Sequence, residues 1–111
     1  MTAVADAPPE VIVRPKNPSP KRLPPYAVIV LNDDLHTFEY VIECFQKVFG
    51  YDITKCVELA TTIHTQGRAL VWSGSKEVAE LKREQIIGVG TDFYASKPVT
   101  FPLGVEIEPM P

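Results

Sequence analysis

One short stretch limits the fold of this chain more than any other. It is an apolar, β-branched run at Tyr26–Leu31 that ends in the polar residues Asn32, Asp33 and Asp34. Such a run predicts a strand that is covered on both faces or central in a small sheet. A turn needs one such polar residue, so three exceed its requirement. Thr37 or Asp34 can cap a following helix, which leaves side-chain acceptors free and gives the first indication of a binding site.

The remaining elements are predicted from apolar periodicity and from cap residues. Apolar residues spaced three and four apart predict helices over residues 37–49, 54–66 and 76–87. Strands are expected at 69–72 and at 99–107, the latter interrupted by Pro102 and Gly104 and therefore an edge or bulged strand. The predicted fold class is α+β, a small β-α-α-β-α-β sandwich with a three-stranded sheet packed against helices.

The expected inner face of the third helix is formed by Val78, Leu81 and Ile86. In the second helix, Val57 is expected inward together with Cys56, Leu59, Ala60 and Ile63. Residues at these spacings share one side of a helix.

Composition separates a tail from a core. Residues 1–25 hold seven of the 11 prolines and are expected to form a disordered, proline-rich extension, whereas residues 26–111 form one small domain. Cys44 and Cys56 have no paired metal-site spacing and are expected to be buried thiols in a reducing compartment.

No run approaches the roughly 18 apolar residues of a membrane span, and no signal-peptide pattern opens the chain. We therefore expect a cytoplasmic protein that does not bind a membrane. The net charge of −3 without a basic stripe argues against a nucleic-acid partner.

A second group of candidate residues lies at the end of the predicted second helix. Ala60, Ile63 and His64 share one helix face, so an imidazole is presented beside an apolar patch. A lone histidine at such a position is more often a cap or a core residue satisfied by the backbone. The pairing with the polar run at 32–34 favours a binding role.

Together these segments resemble the ClpS family, the adaptors that recognise N-degrons for the Clp protease. The resemblance is carried by Asn32–Asp34, by the following FEYV and QKVF segments, by His64 with Gln66-Gly67-Arg68-Ala69, and by EVAELK at 77–82. It covers residues 26–82. The family usually has methionine where this chain has Phe38 and Ala60, and threonine and proline where it has His36 and Thr37.

The resemblance implies a site for a free N-terminal amine and its side chain. An α-ammonium carries three donors, and Asn32, Asp33 and His64 would accept from it, with Asp34 and His36 in supporting positions. A bulky hydrophobic first residue would enter a pocket whose walls are Phe38, Val41, Ala60, Ile63 and Leu103. Glu77 and Lys82 would dock on the N-terminal domain of the Clp AAA+ unfoldase. The resemblance implies no cofactor, no bound metal and a monomer.

Two other classes of function stay open at this point. Asp33, Asp34, His36 and His64 could ligate a cation in a metal-dependent hydrolase, although no HExxH-like spacing accompanies them. The chain could also be a structural interaction domain without a pocket.

Overall fold

A computed structural model describes residues 23–111 of the protein. Most of the predicted tail, residues 1–22, lies outside the described residues. Three strands, β1 (Tyr26–Leu31), β2 (Arg68–Gly74) and β3 (Gly104–Pro109), form one antiparallel sheet in the order β2-β1-β3. Three helices, α1 (Phe38–Phe49), α2 (Ile53–Gln66) and α3 (Lys76–Ile87), complete the β-α-α-β-α-β order. The predicted α+β class is confirmed.

The central position of β1 follows from its composition. Residues 27–30 are all buried, and β1 pairs with β2 along one edge and with β3 along the other. The helices α2 and α3 pack against the sheet, and α1 packs against both of them. The polar run after Leu31 therefore begins at the end of the most buried strand.

Short polar side chains fix where each helix begins. The side chains of Thr37, Asp52 and Ser75 accept hydrogen bonds from backbone N–H groups three residues later, as N-caps do. Helix α2 ends at Gly67, whose φ of 89° is readily adopted by glycine. The caps place the two helix ends that border the site within a residue of their predicted positions.

The core lies between the sheet and the helices. Its fully buried members include Val28, Val30, Phe45, Cys44 and Cys56. Both cysteines are free thiols, and burial raises the pKa of Cys44 to about 12. Both thiols are packed as small apolar side chains.

Two helix faces differ from the prediction. In α3, Ala79 and Ile86 are the buried residues, whereas Val78 and Leu81 are 38% and 52% exposed. Ala79 and Ile86 are seven residues apart, so they lie on one face, and turning that face inward turns Leu81 outward. In α2, Val57 is likewise exposed.

The last strand also differs from the prediction, because it begins at Gly104 and not at residue 99. Val99 instead exchanges two backbone hydrogen bonds with Asp92, of 2.9 and 3.1 Å, as an isolated bridge. Pro102 cannot donate to a ladder, which separates this bridge from β3. Residues 88–103 thus form a folded connection between α3 and the edge strand β3.

Asp92 fastens this connection to the start of α1. Its side chain is fully buried and accepts from the Thr37 N–H at 2.7 Å, from the Thr37 hydroxyl at 3.1 Å and from the Tyr94 N–H at 2.9 Å. A buried carboxylate is tolerated when hydrogen bonds of this kind replace its hydration. The long connection and the N-cap of α1 are therefore one hydrogen-bonded unit.

We expect Asp92→Ala to lower the free energy of unfolding by about 2 kcal/mol, because it leaves the part-buried N–H groups of Thr37 and Tyr94 without their acceptor. Asp92→Asn keeps one acceptor oxygen and should cost less. Urea unfolding of both variants measures the difference. An Asp92→Ala protein within about 0.5 kcal/mol of the wild type, the range of ordinary surface changes, would contradict this role.

Candidate functional site

The loop after β1 is held to the end of α2 by its backbone. The Asn32 N–H donates to the Gly67 carbonyl oxygen over 2.9 Å, and the Gly67 N–H donates to the Ile63 carbonyl over 2.9 Å. His64 lies in the last turn of the same helix. This connection brings Asn32 and His64 to one place although 31 positions separate them along the chain.

A cavity of about 200 Å³ opens at this place. Its walls come from the 32–37 loop, from the first turn of α1 and from the last two turns of α2. They are lined by Asn32, His36, Thr37, Phe38, Val41, Ala60, Ile63 and His64. The lining therefore combines four polar residues with four apolar ones.

Seven of the predicted site residues line this cavity. They are Asn32 and His64 from the predicted amine-binding set, His36 from the predicted supporting positions, and Phe38, Val41, Ala60 and Ile63 from the predicted pocket. Phe38 is 41% exposed, unlike the buried Val41, so it forms a wall at solvent and does not belong to the core. The observed cavity also removes the basis for an interaction domain without a pocket.

Three predicted residues lie elsewhere. Leu103 is buried in the core and is not among the residues that line the cavity. Its position follows from the connection before β3, where Val99 pairs with Asp92 and the chain then turns inward at residue 103. Asp33 and Asp34 are also absent from the lining, and Asp34 is exposed.

The Asp33 carboxylate is engaged within the loop. One oxygen accepts from the N–H groups of Leu35 and His36, at 2.9 and 2.7 Å, and forms the turn between β1 and α1. The other oxygen lies 2.6 Å from Nδ1 of His36. Partial burial alone would raise the pKa of Asp33, but these hydrogen bonds outweigh it and hold the pKa below its usual value. Asp33 is thus an ionised group that shapes the loop.

His36 and Thr37 were not expected to form walls, and both line the cavity. His36 Nε2 lies 2.9 Å from the carbonyl oxygen of Phe101, and Thr37 binds the buried Asp92. These partners lie 65 and 55 residues away along the chain, in the connection between α3 and β3. No local sequence signal connects them to the site.

The structure offers no site for a metal in residues 23–111. No three His, Cys, Asp or Glu side chains lie close enough there to hold an ion. Asp33 and His36 contact each other, whereas His64 lies in α2 and lines the same cavity as His36. The same residues contain no helix both long and apolar enough to cross a membrane.

The two predicted docking residues lie on α3. Glu77 is exposed in the first turn, beside the exposed apolar side chains of Val78 and Leu81. Lys82 donates to the Val48 carbonyl over 2.9 Å, and its ammonium lies 5.7 Å from the centre of the Phe49 ring. Glu77 is thus open to solvent, while Lys82 stabilises the end of α1.

Comparison with known proteins identifies the family to which this chain belongs. The family profile described as "ATP-dependent Clp protease adaptor protein ClpS" matches residues 21–99, which is most of the chain. The chain belongs to the ClpS family. It is an adaptor of the Clp protease, and its relatives are named adaptor proteins, not enzymes.

Individual relatives agree with this assignment. The ClpS adapter of Thermosynechococcus vestitus is 42% identical over 71 residues, which are 63% of this chain and 76% of that protein. The ClpS adapter of Cronobacter sakazakii is 44% identical over 57 residues, 51% of this chain and 54% of that protein. The solved structure of Agrobacterium tumefaciens ClpS2 bound to L-phenylalaninamide superposes with a TM-score of 0.64 and 27% identity, covering 80% of this chain and 100% of that one.

Proposed function

We propose that this ClpS protein binds proteins whose first residue is bulky and hydrophobic and carries a free amine, and that it delivers them to a AAA+ Clp unfoldase for degradation. The observation that carries the proposal is the cavity, whose lining combines the Asn32 amide and the His64 imidazole with four apolar side chains. An N-terminal residue combines the same two chemistries, an ammonium and a side chain.

The ligand of the Agrobacterium relative supports this assignment. Phenylalaninamide has a free α-amine, an aromatic side chain and an amide in place of the next peptide bond. In this chain, the carbonyl oxygen of Asn32 and a ring nitrogen of His64 would accept from the ammonium. Phe38, Val41, Ala60 and Ile63 would surround the side chain, and its burial would supply the hydrophobic part of the binding energy.

The aspartates would contribute charge more than contact. Asp33 shapes the loop through its hydrogen bonds, and Asp34 follows it as an exposed carboxylate. The exposed carboxylate of Asp34 makes the entrance favourable for a cation, whereas Asp33 is paired with His36. We therefore assign the direct amine contacts to Asn32 and His64, a supporting electrostatic role to Asp34 and a loop-shaping role to Asp33.

Peptides that begin with free phenylalanine or leucine should bind, whereas the same peptides with an acetylated N-terminus should bind about a hundredfold more weakly. Acetylation removes the charge and two of the donors that make charge-assisted hydrogen bonds. Fluorescence titration with a panel of peptides differing in the first residue measures both preferences. Equal affinity of free and acetylated peptides would contradict the amine site.

Substituting Ala60 tests the pocket. Ala60→Leu should weaken binding of a phenylalanine-initiated peptide about tenfold, because the added atoms occupy the space that the substrate side chain needs. Thr61→Leu, one position along α2 and exposed, is the matched control and should bind as the wild type does. Wild-type affinity in Ala60→Leu would show that the substrate side chain lies elsewhere.

Delivery would use the outer face of α3. Glu77, Val78 and Leu81 lie together on the exposed side of this helix. When a partner binds, the two apolar side chains would exclude water from around Glu77. We assign this face, with Lys82 at its border, to the N-terminal domain of the unfoldase. Helix α3 contributes no residue to the cavity lining, so substrate and unfoldase would occupy different surfaces.

Glu77→Lys should weaken binding to the isolated N-terminal domain of the cognate unfoldase about three- to tenfold, because it reverses a charge at the rim of the interface. The affinity for phenylalanine-initiated peptides should stay unchanged. Glu58→Lys, an exposed residue of α2, makes the same charge change on another helix and serves as the control. Equal losses in both variants would indicate a general charge effect and not a docking face on α3.

A further inference from the structure

The His36 ring connects three parts of the structure at the edge of the cavity. Its Nδ1 lies 2.6 Å from an Asp33 carboxylate oxygen in the 32–37 loop, and its Nε2 lies 2.9 Å from the Phe101 carbonyl oxygen in the 88–103 connection. The ring stacks on the Tyr40 ring of α1, with 5.1 Å between the ring centres. It packs edge-on against the Phe101 ring, with 5.0 Å between the ring centres. Only 2% of its side chain is exposed.

Both hydrogen-bond partners of this ring are acceptors. A carbonyl oxygen only accepts, and an ionised carboxylate does the same. A neutral imidazole carries one N–H and can satisfy one of them, whereas an imidazolium satisfies both. Both hydrogen bonds therefore form together only when each ring nitrogen carries a hydrogen.

Other ionisable groups surround the ring. Tyr40 packs against it from α1, but its hydroxyl donates to the Gly90 carbonyl. Asp92 approaches from the connection and binds the neighbouring Thr37. His64 lies across the shared cavity in α2. Of these groups, Asp33 alone contacts a nitrogen of the His36 ring.

The two bonds of His36 complete the support of the loop that carries Asn32. At its first residue, the loop is held by the Asn32 N–H on Gly67, and in its middle by the turn that Asp33 forms. At its far end, His36 joins the loop to a connection that is itself held by Asp92 and the Val99 bridge. A loop fixed at both ends presents its acceptors without paying the entropy of ordering them when a ligand binds.

We propose that His36 is a positioning residue of this site. It acts as a proton-dependent clamp that joins the 32–37 loop to the 88–103 connection, and it thereby sets the affinity for the N-terminal residue. This inference rests on the proposed function for its effect on binding. Gain or loss of one ring proton makes or breaks one of its two bonds.

Two near-isosteric substitutions of His36 test its two hydrogen bonds one at a time. His36→Asn places an amide N–H near the position of Nδ1 and can keep the Asp33 bond, while His36→Gln places one near Nε2 and can keep the Phe101 bond. Neither side chain titrates. His36→Ala removes both bonds.

The direct test is hydrogen exchange of the Leu35 and His36 amides in the ligand-free protein, measured between about pH 5.5 and pH 8, the range in which histidines titrate. After correction for the intrinsic pH dependence of exchange, protection should decrease with rising pH in the wild type and stay constant in His36→Asn and His36→Gln. His64→Gln should keep the wild-type profile, because that side chain makes no contact with the loop amides. A profile that is the same in the wild type and in both His36 variants would overturn the clamp.

Binding of a phenylalanine-initiated peptide supplies the second readout. His36→Ala should weaken it about tenfold, with His36→Asn and His36→Gln between the alanine variant and the wild type. Unfolding midpoints identify any variant that fails to fold, and the two amide variants then carry the test. Wild-type affinity in His36→Ala would overturn the effect on binding, whereas absence of peptide binding by the wild type would refute the proposed function and leave the exchange test to decide the clamp.

Discussion

The hydrogen bond from the Asn32 N–H to the Gly67 carbonyl is the contact on which the site depends. It joins the exit of the most buried strand to the end of the helix that carries His64. Because β1 is held on both edges by its neighbours, its end cannot shift without disturbing the whole sheet. The left-handed conformation of Gly67 lets α2 stop at this point and turn directly into β2. A binding site formed by a loop thereby gains the rigidity of the sheet.

The features that the sequence predicts are those determined within a few residues. Thr37 and Asp52 cap helices because their side chains reach N–H groups three positions away, and Gly67 ends one because its φ is positive. The pairing of Asn32 with His64 was predictable only through the family resemblance. The exposed face of α3 was not predictable, since Val78 and Leu81 match a helical apolar pattern as well as Ala79 and Ile86 do. Only tertiary packing decides which of two overlapping patterns turns inward.

The role of Asp33 illustrates what a residue type leaves undetermined. A carboxylate after a strand can bind a ligand, close a turn or pair with a neighbour, and the sequence favours none of these. Here it closes the turn and pairs with His36, a partner three residues away that itself needs Phe101 to be fixed. The long connection at 88–103, which contains only an isolated bridge and no helix or strand, therefore helps to decide the geometry of a loop more than fifty residues before it.

The balance of charge at the cavity follows from the same pairing. An isolated carboxylate beside Asn32 would attract any cation, including a metal ion or a lysine side chain. Pairing Asp33 with the buried His36 ring reduces this general attraction. Under the proposed function, recognition would then depend more on Asn32, His64 and the apolar lining than on the Asp33 charge. A lysine ammonium, which has no bulky apolar side chain beside it, would gain less from such a site than the N-terminal residue that we propose as its ligand.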